Sequence, residues 1–588
     1  MQLWQPHTAP GAAPTVSTTV SLSGAAGDVV VELSGASEAT STRVTEDVWL
    51  IEAQSAEGIS AQWRIPCVSV SAFWTPDSGA HRWLPPSWRA PKTSSLAVGA
   101  PAISLIGTAD VNVCTVALAD GVGEVRFSGG VVEETGEFLF VVEQASGSLS
   151  LRIDLSDRPF SAALAEVAAW WGQGRPLPPT PRAARLPAYS TWYSMHQEIS
   201  EESVEVQARL SRELGCETII VDDGWQTADR GRGYAFCGDW EPNPASFPDF
   251  SGHVERVHAL GLSYLLWYAI PFVGKENAAF ARFEDKLLTY ADYMDAGVLD
   301  PRFPDVRAFI VDRLSQAVEA WNMDGLKIDF VDWFARVNPP ARDGMDCPEV
   351  SEGVRRLLDA LDVRLRRAKP EVLIEHRQPY TSPGLWPYAN MIRAVDCPLS
   401  PQENRQRTID LRLLAGPLAV HSDMILWHAA EPPQQVAVHL INALFSVPQI
   451  SVDLTAQTGA QRAALAFWLG VFREHLDTLQ LGVLEPTGAE HGFPLVRAYD
   501  ERTTIIARYA PLPVRVPGEG WQDFLVANAD SDPAVLLVGE TDEQVAASVH
   551  DCEGALVSSP RLSLGPGVTI VDVPTGGLLR LRRTNQEG

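Results

Sequence analysis

The stretch Asp324-Gly325-Leu326-Lys327-Ile328-Asp329-Phe330-Val331-Asp332-Trp333 decides how the middle of this chain folds. An apolar run of strand length carries one lysine and closes on a carboxylate. Side chains alternate along a strand, so Lys327 and Asp329 share a face. Runs of this kind occur at 186–193, 217–222, 262–269, 325–330, 372–376, 391–395, 418–422 and 449–453. Helix-like stretches fall between them, at 201–214, 250–260, 275–294 with 304–321, 349–368, 404–415 and 434–444, and a last helix at 459–478 closes the series. Eight strand–helix units in roughly 300 residues have the size and rhythm of a TIM barrel. The fifth connection, 378–390, reads as loop, and a doubly wound sheet is the structural alternative.

Outside this region the pattern changes. Up to about residue 155 the chain is rich in Thr, Ser, Val and Gly, with short alternating runs such as 28–33 and 137–143, which predicts an antiparallel β-sandwich. An amphipathic stretch at 161–171 leads into a Pro-rich linker at 174–182. After about residue 482, β-type runs return at 495–498, 503–509, 537–538 and 578–581. The expected fold class is therefore α/β: an N-terminal β-sandwich with linker helix (1–175), a central (β/α)₈ barrel (183–482) and a small all-β C-terminal domain (483–588).

Composition narrows the function classes. The 588 residues carry 74 Asp plus Glu against 46 Lys plus Arg, a net charge of −28. That field repels phosphate backbones and anionic lipid, so neither nucleic acid nor a membrane is an expected partner, and a neutral sugar fits it. Seven scattered cysteines without a CxxC pair read as reduced thiols of a cytoplasmic protein. Residues 1–7 lack the basic and apolar regions of a signal peptide.

Barrel enzymes build their sites at the C-terminal ends of the strands. There, Lys327 beside Asp329 would keep the carboxylate ionised, as a nucleophile requires; a plain buried ion pair is the alternative. The sixth run closes on Asp396, directly after apolar residues and just before Pro398. A partly desolvated carboxyl there would have the raised pKa of a general acid; alone, it reads equally as a turn residue. Two carboxyls facing each other at about 5–5.5 Å are what a retaining glycosidase needs. Asp222 and Asp223 close the second run, where sugar hydroxyls would satisfy them; a capping Asp followed by an Asp-Gly turn is the other reading. Trp192, Tyr193, Trp225, Trp267 and Trp333 also cluster at these ends, among 18 tryptophans in the chain, and flat rings suit the apolar faces of a pyranose.

At this point the barrel, about residues 189–423, resembles glycoside hydrolase family 36, the α-galactosidase-type enzymes. The matching pieces are Val221-Asp222-Asp223-Gly224-Trp225, Gly238-Asp239-Trp240-Glu241-Pro242-Asn243 with Phe247-Pro248, and Leu266-Trp267. Leu299-Asp300-Pro301-Arg302-Phe303-Pro304-Asp305-Val306-Arg307 and Gly325-Leu326-Lys327-Ile328-Asp329 complete the set. The resemblance implies Asp329 as nucleophile and Asp396 as acid/base. It implies Asp222 and Asp223 on the outer hydroxyls of the terminal sugar and Lys327 on a hydroxyl beside the nucleophile. Trp192, Trp225 and Trp267 would shape the pocket, with no metal or organic cofactor, an oligosaccharide or glycoside as substrate, and a homo-oligomeric assembly.

Three departures bear on the sugar. The family's Lys-x-Asp-x-Asn would place asparagine at Val331. Its Cys-x-x-Gly-rich stretch is replaced by Ile374-Glu375-His376-Arg377-Gln378-Pro379-Tyr380, and its Ser-Asp-x-Thr-Asp by Val395-Asp396-Cys397-Pro398-Leu399. Glu375 or Arg377 is expected to take over the contact near C2, a guanidinium there favouring a different or decorated sugar.

The resulting expectation is a retaining hydrolase of terminal α-linked sugars, foremost α-galactosides. Beside it stand a same-fold enzyme for glucose, N-acetylgalactosamine or β-L-arabinopyranose, a transglycosylase, and a non-catalytic carbohydrate-binding protein. His421, Asp423 and His428 fit no zinc spacing and read as a substrate-contacting loop, with Asp423 a binding candidate and Asp453 a weaker one. The Trp-rich segment 73–88 reads either as a loop over the barrel mouth or as aromatics packed between domains.

Overall fold

The computed structural model describes residues 17–55, 58–145, 147–175 and 177–583; residues 1–7 and Pro176 of the linker lie outside the described residues. Its centre is an all-parallel eight-stranded sheet. The strands are β1 (Ala188–Ser190), β2 (Thr218–Val221), β3 (Ser263–Ala269), β4 (Gly325–Asp329), β5 (Leu373–Arg377), β6 (Met391–Arg393), β7 (Ala419–His421) and β8 (Gln449–Ile450). They follow chain order from β1 to β7, with β8 beside β1. Single parallel bridges, His421 with Val447 and Ile425 with Ile450, join the two ends and nearly close the barrel. Because both faces of a parallel sheet are covered, its strands are continuous apolar runs; every residue of β2 and β4 is buried.

Helices follow the strands where the sequence supplies starts and stops. α1 (Glu201–Leu214) opens on a reciprocal capping box, Ser200 with Ser203, and stops at Gly215 in the left-handed region, φ 107°. α2 (Phe250–Ala259) is capped by Asp249, and α3 (Pro304–Trp321) starts with proline in its first turn. α4 (Val350–Ala368), α5 (Pro401–Leu414), α6 (Pro433–Asn442) and α7 (Gly459–Glu474) follow β4, β6, β7 and β8. After β5 the connection is loop with one 3₁₀ turn, Pro383–Tyr388.

Two expectations need correction. The stretch 275–294 is not one helix: only a short helical turn forms at Phe280–Phe283, continued by a 3₁₀ turn, and then Leu287–Ala291 pairs antiparallel with Ala296–Leu299, which also pairs with Phe272–Gly274. The turn between the first two strands is closed by Asp295 in the left-handed region, φ 50°. Neighbouring strands overrode local helix preference there. The first barrel strand is also shorter than 186–193, since Trp192 and Tyr193 begin a helical turn, Trp192–Met195, that tips both rings off the strand.

Before the barrel, two six-stranded antiparallel sheets pack around their own apolar core, and helix Phe160–Gly172 follows them. After α7 the chain runs as strands from Val483–Thr487 to Leu578–Arg583, in one eight-stranded and one three-stranded sheet. The Trp-rich segment 73–88 ties the N-terminal sheets to the barrel. Trp74 donates through Nε1 to Asp410 on α5 at 2.8 Å, and Arg82 pairs with the same carboxylate at 2.8 Å, all three buried. Trp83 and Trp88 are exposed.

Candidate active site

The strand register stacks the functional side chains in layers. Trp267 of β3, Lys327 of β4 and Glu375 of β5 are ladder partners, and two residues further on Ala269 pairs with Asp329. Arg377, two residues beyond Glu375, therefore arrives beside Asp329, and it is itself the ladder partner of Arg393 on β6. A cavity of about 100 Å³ opens above these layers, lined by Trp192, Asp222, Asp223, Tyr234, Trp267, Lys327, Asp329, Phe330, Arg377, Arg393, Asp396 and Met424. It is far smaller than the roughly 300–1,000 Å³ of pockets for drug-sized ligands, the scale of one sugar ring rather than a chain.

Asp329 is buried and fully engaged. Its Oδ1 accepts from the Arg377 Nε at 2.5 Å and the Phe330 backbone N–H at 2.7 Å, and its Oδ2 accepts from the Trp267 Nε1 at 3.0 Å. Burial by itself would raise the carboxyl's pKa; the Arg377 guanidinium, then Lys327, the Trp267 N–H and Arg393 outweigh it and hold the group well below the usual carboxylate range. Asp329 is thus an anion at any moderate pH. Lys327 favours this state from a distance, because its direct partner is Asp222, Nζ to Oδ2 at 2.5 Å. The lysine was expected beside Asp329; the guanidinium of Arg377 stands there instead.

Asp222 and Asp223 reach the cavity together. Thr191 Oγ1 accepts from the Asp222 backbone N–H at 2.9 Å, and Asp223 accepts from the amides of Gln197 and Gln226, both at 2.8 Å. Burial pushes the Asp223 pKa up to about 6 against the two amide donors.

Asp396 lies on the loop after β6 with half of its side chain exposed (50 %) and Arg393 Nη1 at 3.0 Å. Its pKa was expected to be raised. Burial does act in that direction, but Arg393, with Lys327 and Arg377 behind it, prevails and lowers it, while the charge of Asp329 opposes the three cations. Arg393 also donates to Asp423 at 2.6 Å. Asp423 takes the Cys397 backbone N–H at 2.6 Å and the Tyr193 hydroxyl at 3.1 Å as well, and burial raises its pKa.

Of the remaining expected site residues, Trp192 and Trp267 line the cavity, and three others do not. Trp225 is buried behind Trp267, donating to its carbonyl at 3.0 Å and packed on Trp240 and Tyr268. Glu375 lies beneath the cavity against Gln449 and 3.6 Å from His421, its pKa pushed up to about 6 by burial. Asp423 is fully buried, behind Arg393. These positions correct the expectation that Trp225, Glu375 and Asp423 face a ligand: Glu375 sits one layer below Asp329 inside the barrel, Trp225 packs outward against Phe250 and Trp321 of the surrounding helices, and Asp423 is screened by Arg393. His421 is inside the barrel, bonded to the Ala184 carbonyl and Gln449; His428 is exposed, and Asp453 caps the Leu454–Ala456 turn.

Tyr234, Phe330, Arg393 and Met424 line the cavity without having been singled out. Arg393 carried a usable signal, a lone cation inside an apolar strand, the same signature that identified Lys327. Tyr234 sits in the long loop after β2 and carried none. Among the described residues no group of three or more His, Cys, Asp and Glu could hold a metal ion, and no helix is long and apolar enough to cross a membrane.

Residues 185–396 match the Melibiase family model. α-Galactosidase AgaA of Geobacillus stearothermophilus is 24% identical over 196 residues, and α-galactosidase C of Emericella nidulans 26% over 211 residues. Each match takes in 32% of this chain and 26% of the relative, so it spans about a quarter of the relatives' length. Among solved structures, a variant of the family 36 α-galactosidase AgaA in complex with 1-deoxygalactonojirimycin superposes with a TM-score of 0.63 at 14% identity, covering 95% of this chain and 81% of that one. The α-galactosidase of Lactobacillus brevis gives 0.61 at 14%, covering 95% and 82%. At that identity the likeness is one of fold.

Proposed function

We propose, from the premise that this chain has a melibiase-type barrel and is glycoside hydrolase family 36, α-galactosidase-like, that it is a retaining α-glycosidase acting on terminal α-linked sugars, foremost α-galactosides. One observation carries the proposal: Asp329 at the end of β4 and Asp396 just beyond β6, two strands apart at the barrel mouth, line a single cavity of monosaccharide scale with Asp222, Asp223 and two tryptophans. A sugar-binding protein without chemistry has no need of a second carboxyl opposite an obligate carboxylate anion.

In this reading Asp329 attacks the anomeric carbon as the bond to the leaving oxygen breaks, and Asp396 gives that oxygen its proton. Water then attacks the same carbon, Asp396 takes the water proton, and Asp329 departs as carboxylate. The charge of Asp329 helps Asp396 hold its proton before the first step. Ester formation removes that charge, and the surrounding arginines then favour the anionic, basic form of Asp396. A bound sugar covers the half-exposed carboxyl and raises its proton affinity at the moment an acid is required. Asp222, Asp223 and Lys327 would bind the outer hydroxyls, between the rings of Trp192 and Trp267.

Support for galactose comes from the relatives: AgaA variants are described in complex with stachyose and with raffinose, besides 1-deoxygalactonojirimycin. The test is a panel of aryl α-galactoside, α-glucoside, α-N-acetylgalactosaminide and β-L-arabinopyranoside, with the anomer first released followed by NMR and with and without an acceptor sugar. Release of α-galactose with retention is expected. Inversion would defeat the double-displacement reading, and inertness of the whole panel the enzymatic one.

A further inference from the structure

The two oxygens of Asp329 are not equivalent, and the difference assigns a role to Arg377. Oδ1 carries two donors, the Arg377 Nε at 2.5 Å and the Phe330 N–H at 2.7 Å, while Oδ2 carries one, from Trp267 at 3.0 Å. Phe330 holds a left-handed backbone, φ 65°, a strained conformation for a bulky residue that fixes the direction of its N–H. Arg377 is equally constrained. Its Nη1 donates to the Gln378 carbonyl at 2.6 Å, and its guanidinium lies over the Phe330 ring at 5.3 Å and the Tyr380 ring at 5.7 Å. Tyr380 is in turn anchored through its hydroxyl to the Ile328 carbonyl at 2.8 Å, inside β4. The guanidinium cannot turn to a sugar hydroxyl without giving up this packing.

We infer that Arg377 is a positioning residue that acts through Asp329, making it a better leaving group than nucleophile, with Oδ2 forming the bond to the sugar and Oδ1 held as the spectator oxygen. The inference rests on the glycosidase reading above. In the first step the carboxylate gives up negative charge to the new C–O bond, so a cation fixed on Oδ1 opposes it. In the second step water oxygen bonds to the anomeric carbon, the C–Oδ2 bond breaks with its electron pair returning to the carboxylate, and the water proton goes to Asp396. The same cation assists this return of charge. The covalent glycosyl-enzyme should therefore be short-lived, with its formation limiting turnover even for good leaving groups.

Wild-type protein and a series of aryl α-galactosides of increasing phenol acidity provide the first measurement. The expected result is turnover that keeps rising with leaving-group acidity, no pre-steady-state burst of phenol, and no glycosylated protein in acid-quenched mass spectra. Rates that level off, with a burst near one phenol per active site, would overturn the inference while leaving the glycosidase reading intact. Folded protein inert toward every aryl α-glycoside would overturn both. Arg377→Met should show the opposite behaviour: a burst approaching one equivalent, kcat down by about 10²-fold, and kcat/KM within about 10-fold of wild type. Arg377→Lys, which keeps a charge but loses the planar Nε contact, should fall between. A higher KM at unchanged kcat in either variant would make Arg377 a substrate-binding residue and defeat the inference. Should Arg377→Met fail to fold, the wild-type series and Arg377→Lys decide the matter.

Discussion

Asp329 and Asp396 are carboxyls of one cavity, held in different ways. Asp329 ends a barrel strand, is buried, and has three donors on its two oxygens, one of them a guanidinium packed between aromatic rings. Asp396 stands three residues beyond the end of its strand, half its side chain meets solvent, and Arg393 beside it is shared with Asp423. A carboxylate that must stay ionised and in place benefits from a rigid strand and several donors. One that must alternate between acid and base benefits from access to water and from a contacting cation whose influence is shared with another carboxylate.

Four substitutions test that contrast, in decreasing order of effect. Asp329→Ala should lower kcat by more than about 10³-fold on every substrate, whatever the leaving group, measured by steady-state release of phenol. Asp396→Ala should cost about 10²–10⁴-fold on oligosaccharides and much less on an activated aryl glycoside, and added azide should restore turnover with formation of the glycosyl azide. Full activity on oligosaccharides without azide would reduce Asp396 to a turn residue.

Asp423→Asn removes an anion from the far side of Arg393. With that anion gone, Asp396 is left with more of the cation, its pKa falls further, and its protonated form disappears at lower pH. The alkaline limb of the kcat/KM–pH profile should therefore move to lower pH, with a loss of about 10-fold or less at neutral pH. An unmoved limb would separate Asp423 from the acid/base. The smallest effect is expected from Gln378→Ala. Gln378 accepts from the Val395 backbone N–H at 3.1 Å and donates to the Pro76 carbonyl at 3.2 Å, bracing the loop of Asp396 against the N-terminal segment 73–88. Its loss should slow hydrolysis of poor leaving groups by a few-fold, roughly the size of a sub-ångström misplacement, and leave activated aryl glycosides unaffected.

Much of the barrel was legible in one dimension. Eight apolar runs are separated by segments with helix caps and prolines, and each such signal acts within a few residues of itself; Ser200, Gly215 and Pro304 mark their helix ends directly. The polar residues closing those runs identified Asp222, Asp223, Lys327, Asp329 and Asp396, all of which line the cavity. Local reading failed at 275–294, where strand partners outweighed helical periodicity, and at Trp192–Met195, where a strand end turned into a helical turn.

Which charge meets which was settled by tertiary structure. Alternation places Lys327 and Asp329 on one face, but the register between β4 and β5 puts Arg377 against Asp329 and leaves Lys327 to Asp222. Depth along the barrel axis likewise removes Glu375 from the ligand space, and sideways packing against helix residues and Arg393 removes Trp225 and Asp423. The pKa of Asp396 is a mixed case: apolar neighbours in sequence suggested a raised value, but Arg393, only three positions earlier, stands 3.0 Å away and, with Lys327 and Arg377 from other strands, lowers it. Periodicity and capping are properties of neighbouring residues and survive in the bare sequence. Register, depth and charge pairing depend on how separate strands slide against one another, and electrostatic interaction falls with distances that only the assembled barrel defines.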